Sequence, residues 1–175
     1  RRRFFEGLPS FHDDFPTHKP LFLTLTVKNC PITELRSQIG HMHRSFNRMQ
    51  KLSAWPTTFW FRRTEITLQG GQLKNAQVPY VHPHLHVLLF VPSDYFGRNY
   101  IKQTEWQKQW MMAARLDYPP VVDVRRATSK SGSGGPPIEA SRMASLEAAK
   151  YGTKATDLIA MGSNLGEYNR QVKGL

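Results

Sequence analysis

Apolar residues recur along the chain with two different periods, which predict strands and helices in alternation. Residues 21–27 (LFLTLTV) form a continuous apolar and β-branched run between Pro20 and Asn29, which predicts a buried strand. Residues 1–19 are polar and contain prolines, so they are predicted to form an irregular basic arm. A helix is predicted to open at residues 31–35, because apolar side chains then recur at the helical period, at Leu35, Ile39, Met42, Phe46 and Met49.

Three further strands are predicted, at residues 58–68, 82–91 and 121–124. Glycines and polar residues separate the first two of these, so they are expected to pair as an antiparallel hairpin. A helix beginning near Thr104 carries Trp106 and Trp110 one turn apart, and we interpret both as core residues rather than base-stacking groups. The four strands predict an α+β domain over residues 20–175, with helices on one face of an antiparallel sheet.

The last third of the chain predicts a loop followed by a helix. Residues 128–137 (TSKSGSGGPP) have low complexity, which predicts a mobile loop inside the domain rather than a linker between domains. Residues 138–154 return to the helical period. The pattern thus places four strands in all.

Length and composition fit one globular domain. The chain has 175 residues, of which 39% are hydrophobic and 21% charged, and no run approaches the roughly 20 apolar residues of a membrane span. It begins with three arginines instead of Met, so we expect no signal peptide and interpret it as part of a longer protein. The lone Cys30 excludes an internal disulfide, which fits the reducing cytoplasm, and is expected to be a buried or loop thiol rather than a catalytic one.

The charge balance favours a nucleic-acid partner. The formal net charge is +11 and the isoelectric point is about 10.1. An excess of this size predicts several Lys or Arg contacts to phosphates, and therefore binding that weakens steeply with salt. Charge alone does not separate an enzyme from a binding module.

A strand with alternating histidines is the most informative segment. His82, His84 and His86 fall on one face of the predicted strand, because successive side chains point to opposite faces. Same-face neighbours lie about 6.6 Å apart, so two adjacent imidazoles can converge on one metal ion, whereas three in a row span roughly 13 Å. A third ligand should then come from the neighbouring strand, and His82 should lie outside the ligand set.

Glu65 is the candidate for that third ligand. The predicted hairpin turn is centred near Asn75, which places residues around 65 opposite residues around 85. Two histidines and one carboxylate with open positions suit a catalytic divalent cation. The alternative interpretation is a polar strand face with ordinary surface histidines.

A glutamate and a tyrosine share one face of the last predicted helix. Glu147 and Tyr151 are four residues apart, and Lys150 and Lys154 add positive charge beside them. A tyrosine phenol can attack a phosphodiester, and a nearby carboxylate can act as its general base or as the base for a water. Without the histidine strand, this pair would be interpreted as an ordinary surface contact.

Together these segments resemble the single-tyrosine plasmid rolling-circle replication initiators, within the His-hydrophobic-His (HUH) endonuclease superfamily. Residues 22–29 (FLTLTVKN) resemble the first family motif and residues 82–89 (HPHLHVLL) the metal motif. Residues 147–151 (EAAKY), with Lys154, resemble the nucleophile motif. Stretches at 63–67 and 95–110 are also similar, so the resemblance covers roughly residues 20–160.

The resemblance implies a five-stranded antiparallel sheet flanked by helices, related to the RNA-recognition and ferredoxin-like topologies. It implies that His84, His86 and Glu65 bind Mn²⁺ or Mg²⁺, and that Tyr151 nicks one strand and remains on the new 5′ end. Glu147 would activate a water at termination. The implied partners are single-stranded or hairpin plasmid origin DNA and a host helicase and polymerase, with no membrane.

Three alternatives remain open at this level. A non-enzymatic basic DNA-binding module explains the charge but gives Glu65 and Tyr151 no purpose. A non-haem iron oxygenase also uses two histidines and a carboxylate, but does not explain the basic charge. A relaxase is the nearest rival within the superfamily, although it has no need for a hydrolytic base at Glu147.

Overall fold

The computed structural model describes residues 2–57, 59–68, 78–126 and 155–174. Its strands are β1 (Lys19–Thr26), β2 (Cys30–Pro31), β3 (Trp60–Leu68), β4 (Tyr80–Val91) and β5 (Val122–Arg126). The helices in the described ranges are α1 (Arg2–Asp14), α2 (Leu35–Met49), α3 (Gln103–Ala114), α4 (Ala155–Met161) and α5 (Leu165–Val172). The predicted loop at 128–137 and the predicted helix at 138–154 lie outside the described residues.

The sheet is built around β4. This strand pairs with β1 on one side and β3 on the other, β5 pairs with β1, and every pairing is antiparallel. The predicted α+β class with a five-stranded antiparallel sheet and flanking helices is therefore confirmed, as is the hairpin of β3 and β4.

The fifth strand is the two-residue β2, which pairs Cys30 with Val81 and Pro31 with Tyr80 at the start of β4. Two residues are too short to show any period, which is why the sequence pattern does not place this strand. Cys30 is buried, and burial raises the pKa of its thiol to about 11. The thiol therefore stays protonated, and a nucleophilic role is disfavoured.

One face of the sheet carries the main core. Leucines and valines of β1 and β4 pack there against α2 and α3; the fully buried members include Leu23, Leu25, Leu85, Val87, Met42, Phe46, Trp106 and Trp110. Both tryptophans also find hydrogen-bond acceptors. The Nε1–H of Trp110 donates to the Thr26 carbonyl at 2.7 Å, and that of Trp106 donates to the Tyr95 hydroxyl at 3.1 Å. Their predicted role in the core is confirmed.

The prediction of an irregular arm over residues 1–19 is wrong, because α1 occupies residues 2–14. Phe11 of this helix packs edge-on against Phe59 and Phe90, beside Leu88 on the face opposite the main core. Pro9 lies inside the helix and hides its period in the sequence. The helix shields an apolar end of the sheet from water. Helices therefore lie on both faces of the sheet rather than on one.

The C-terminal helices pack beside the β3–β4 end of the sheet. Met161 of α4 and Tyr168 of α5 are buried in a cluster with Ile66 and Val81. The Arg36 guanidinium at the start of α2 donates to the main-chain carbonyl of Arg170 in α5 and to that of Lys173. None of the helices in the described part of the chain has the length and apolarity needed to cross a bilayer.

Candidate metal centre and nucleic-acid face

Three histidines line one face of β4, as the alternation predicts. The ring centroids of His82 and His84 are 4.2 Å apart, and those of His84 and His86 are 6.0 Å apart. Leu85 and Val87, which flank His86 and point to the other face of the strand, are fully buried in the main core. The strand therefore holds its imidazoles over the opposite face, where they form a continuous row.

Glu65 lies against this row from the neighbouring strand. Its Cα pairs in register with His84, and its Oε2 lies 2.7 Å from Nε2 of His86. The prediction that residues near 65 face residues near 85 is confirmed. Glu65 and His86 are only 9% and 8% exposed, so a carboxylate and an imidazole share a nearly dry position. Such a pair is costly to bury unless each group compensates the other.

Threonines flank the imidazoles on both sides. Oγ1 of Thr24, on β1, lies 3.2 Å from Nδ1 of His86, the nitrogen that does not meet Glu65. Oγ1 of Thr67, on β3, lies 3.3 Å from Nε2 of His84. Hydroxyl partners of this kind fix the orientation of a histidine ring and decide which nitrogen presents its lone pair.

Burial keeps His84 uncharged. Desolvation, followed by the neighbouring His82 and His86, lowers the pKa of His84 to about 4. At neutral pH the ring is therefore neutral, which is the form that binds metal ions. Burial also lowers the pKa of His82, and a hydrogen bond with the backbone of Val27 opposes that shift.

The structure brings part of the predicted ligand set together. Glu65 and His86 meet, whereas the His84 ring lies beside Thr67. Within the described ranges, no group of three or more His, Cys, Asp or Glu side chains is gathered closely enough to hold a metal ion as it stands. The donor types nevertheless fit a divalent cation, since they comprise two imidazoles and one carboxylate.

The predicted catalytic residues Tyr151, Glu147 and Lys154 lie outside the described residues. The nearest described element is α4, which begins at Ala155, directly after Lys154 in the sequence. The roles of these three residues therefore rest on the sequence.

An open cleft of about 710 Å³ adjoins the histidine row and was not predicted from the sequence. His82 forms one wall, and Lys28, Tyr80 and Tyr118 form others. Tyr80 continues the alternation of His82, His84 and His86 by one step, so the strand pattern contains a signal for it. Tyr118 comes from a distant loop, and no local pattern connects it to the row.

Comparison with known proteins identifies the family. The family model described as "Replication protein" matches residues 1–175. This chain belongs to that family, the Rep proteins of plasmid replication initiation. The iron-oxygenase alternative is accordingly disfavoured.

Several curated relatives agree with this assignment. The chain is 39% identical over 158 residues to a "Protein rep" of Bacillus sp and to one of Bacillus amyloliquefaciens. It is 37% identical over 153 residues to a "Protein rep" of Streptococcus pneumoniae. These alignments cover 85%, 85% and 82% of the chain but 49%, 44% and 42% of the relatives, so the chain spans about half their length. No solved structure matches the chain.

Proposed function

We propose that this chain nicks and rejoins single-stranded DNA at a plasmid replication origin, in a sequence-specific reaction that depends on a divalent cation. The observation that carries the proposal is the contact of Glu65 with His86, beside the neutral His84, on one strand face of a replication-family protein. Folding does not require a carboxylate and two imidazoles on this strand face, because apolar residues at the same positions would stabilise the fold at least as well.

Glu65, His84 and His86 would hold Mn²⁺ or Mg²⁺. The bound cation supplies charge to polarise the scissile phosphate and orient it for in-line attack. Glu65 contributes the single negative charge of the set, and the two histidines contribute lone pairs. Thr24 lies beside the His86 ring and Thr67 beside the His84 ring, and these two hydroxyls would orient the imidazoles toward the ion.

Tyr151 is the proposed nucleophile. Its phenol oxygen forms a bond to the phosphorus while the bond from phosphorus to the 3′ oxygen breaks. The phenol proton passes to a base or to solvent, and the departing oxygen takes up a proton to become a free 3′-hydroxyl. The product is a 5′-phosphotyrosine, and Lys154 adds positive charge near the phosphate.

Glu147 is the proposed base for termination. A single-tyrosine enzyme needs a water in place of a second tyrosine at the end of the cycle, and that water must lose a proton as it attacks. Glu147 is the carboxylate placed four residues before Tyr151. In the complete cycle a host polymerase would extend the free 3′-hydroxyl, behind a helicase that separates the strands.

A labelled oligonucleotide tests the proposal. The chain is mixed with single-stranded hairpin oligonucleotides from the plasmid origin, labelled at either the 5′ or the 3′ end, with Mn²⁺ or with EDTA. We expect an SDS-stable protein band that carries the 3′ label in Mn²⁺ only, while the 5′ label appears on a shorter free strand. Tyr151→Phe should bind the oligonucleotide and give neither product. Binding without any adduct from the unmodified chain would assign it to the non-enzymatic DNA-binding class.

A further inference from the structure

We infer that the cleft beside His82 binds one unpaired base of the DNA strand, next to the phosphate that the histidine row addresses. This inference rests on the proposed nicking function and adds to it a specific contact site for the substrate. The residues proposed to make the contact are Tyr80, Tyr118 and Lys28.

The cleft lies directly beside the histidine row. Tyr80 and His82 are same-face neighbours on β4, so Tyr80 lies about 6.6 Å along the strand from His82. His82 and Thr26 line the cleft, and Thr26 pairs in register with His84. The cleft therefore begins where the candidate metal centre ends, and a strand whose phosphate lies at the histidines can reach it with a neighbouring base.

The walls of the cleft carry aromatic rings and one lysine. Tyr80 is 43% exposed, so part of its aromatic ring is open to a ligand. Nζ of Lys28 lies 4.1 Å from the centroid of the Tyr118 ring, and the Lys28 backbone N–H donates to the Tyr118 hydroxyl at 2.8 Å. These two contacts hold Tyr118 and the Lys28 ammonium in fixed positions before any ligand arrives.

Aromatic side chains beside a lysine suit an unpaired base and its phosphate. Every base has a flat π-face, and stacking on aromatic side chains, with a lysine for the phosphate, is how unpaired strands are bound. Pro119 and Pro120 complete the rim with restricted backbone and no N–H donors of their own. A rim of this kind discriminates little between bases, so we assign to the cleft a stacking role rather than the reading of sequence.

An affinity measurement in EDTA isolates binding from cleavage. The probe is a fluorescent 12-nucleotide oligothymidylate, followed by anisotropy. Tyr80→Ala should weaken binding about 5-fold to 100-fold, the usual range for loss of one stacked base. Tyr80→Phe should bind as tightly as the unmodified chain, because stacking needs the ring and not the hydroxyl.

Tyr100 and Lys28 supply controls on the same chain. Tyr100 is 51% exposed and follows the opposite end of β4, so Tyr100→Ala should leave the affinity unchanged. Lys28→Gln should lower the slope of log affinity against log salt by about one, as expected for one lost phosphate contact. Thymidine monophosphate at the same concentration should not displace the oligonucleotide; displacement would assign the cleft to a free nucleotide and overturn the inference.

Photocrosslinking locates the base directly. An oligonucleotide in which 5-iododeoxyuridine replaces thymidine is irradiated with the chain in EDTA, and the modified peptide is mapped by mass spectrometry. Crosslinks at Tyr80 or Tyr118 support the inference. Crosslinks confined to other residues, or equal affinities of Tyr80→Ala and Tyr100→Ala, overturn it.

The two proposals fail in different ways. If the unmodified chain forms the covalent adduct but Tyr80→Ala binds DNA normally, only the stacking site is wrong. If the chain binds and crosslinks through Tyr80 but forms no adduct in Mn²⁺, the nicking proposal fails and the stacking site stands.

Discussion

Oε2 of Glu65 lies 2.7 Å from Nε2 of His86, although Glu65 pairs in register with His84. The carboxylate thus lies opposite one imidazole and reaches diagonally to the next. Both contacts come from one antiparallel hairpin, whose register is fixed because a one-residue slip would turn every histidine into the core. The hairpin therefore places one negative charge between two lone-pair donors, which is the arrangement on which the proposed metal centre depends.

Removing the charge of Glu65 should remove metal binding. Glu65→Gln keeps a hydrogen-bond acceptor for His86 but loses the negative charge, so we expect Mn²⁺ affinity to fall by more than about tenfold, since even outer partners of a metal site contribute that much. Isothermal titration calorimetry measures the Mn²⁺ affinity of each variant. Asp123→Asn is the matched control: its carboxylate lies on the same sheet face but pairs with Arg125 at 2.7 Å. Equal affinities for the two variants would contradict the assignment.

His84 and His82 should differ in their effect on the metal. His84→Ala removes a proposed ligand and should abolish measurable Mn²⁺ binding. His82→Ala removes a ring engaged with the Val27 backbone and should weaken binding no more than about 10-fold to 100-fold. A metal-soaked crystal structure gives the direct answer. The assignment fails if His82 coordinates the ion while Glu65 turns away.

Much of this arrangement follows from the sequence, because it depends on local rules. Alternation assigns the three histidines to one face of β4, and counting outward from the predicted turn near Asn75 brings Glu65 to within one residue of its observed partner His84. The helices α2 and α3 also follow from their period. In each of these segments, one element is long enough to repeat its pattern several times.

The remaining features depend on contacts between distant parts of the chain. Lys28 and Tyr118 meet across 90 residues, so no local window connects them. The strand β2 is too short to have a period, and α1 conceals its own with Pro9. Helix α1 can be predicted only when the tertiary structure is known, because it shields Leu88 and Phe90 on the second face of the sheet from water.

Termination should be separable from initiation. Glu147→Gln keeps the size and helix propensity of the side chain but removes its basicity, so the first nick should proceed at its normal rate while the final hydrolysis slows strongly. Covalent protein–DNA adducts and over-replicated strands should accumulate, as a time course of adduct formation and release would record. Glu147→Tyr should restore termination by adding a second nucleophile. Release at the normal rate in Glu147→Gln would mean that Glu147 only pairs with a neighbouring lysine.

The docking of α1 should make stability sensitive to acid. His12 is 7% exposed, and neither of its ring nitrogens has a hydrogen-bond partner among the described residues. Burial, assisted by His18 and opposed by Asp13, lowers the pKa of His12 below its ordinary value of 6.5. The unfolded chain therefore binds the proton more readily, so the contribution of His12 to stability is complete above about pH 6.5 and is lost as the pH falls.

The variant His12→Phe tests this pH dependence. It removes the titrating ring from an aromatic environment and should flatten the fall in stability below pH 6.5, by at most about 1.4 kcal/mol per pH unit for one proton. Urea unfolding at pH 7.5 and 5.5 measures the difference. Identical slopes for His12→Phe and the unmodified chain would show that His12 does not contribute to the acid sensitivity.

The identity of the nucleophile tests the central claim most directly, because the described face also carries Tyr80 and Tyr118 beside the histidine row. The chain is incubated in the dark with an origin hairpin oligonucleotide and Mn²⁺, and the nucleotide-bearing peptide is sequenced by mass spectrometry. We expect a phosphodiester on Tyr151 that forms in Mn²⁺ and is absent in EDTA. A phosphodiester on Tyr80 or Tyr118, or an adduct that forms equally well in EDTA, would contradict this assignment.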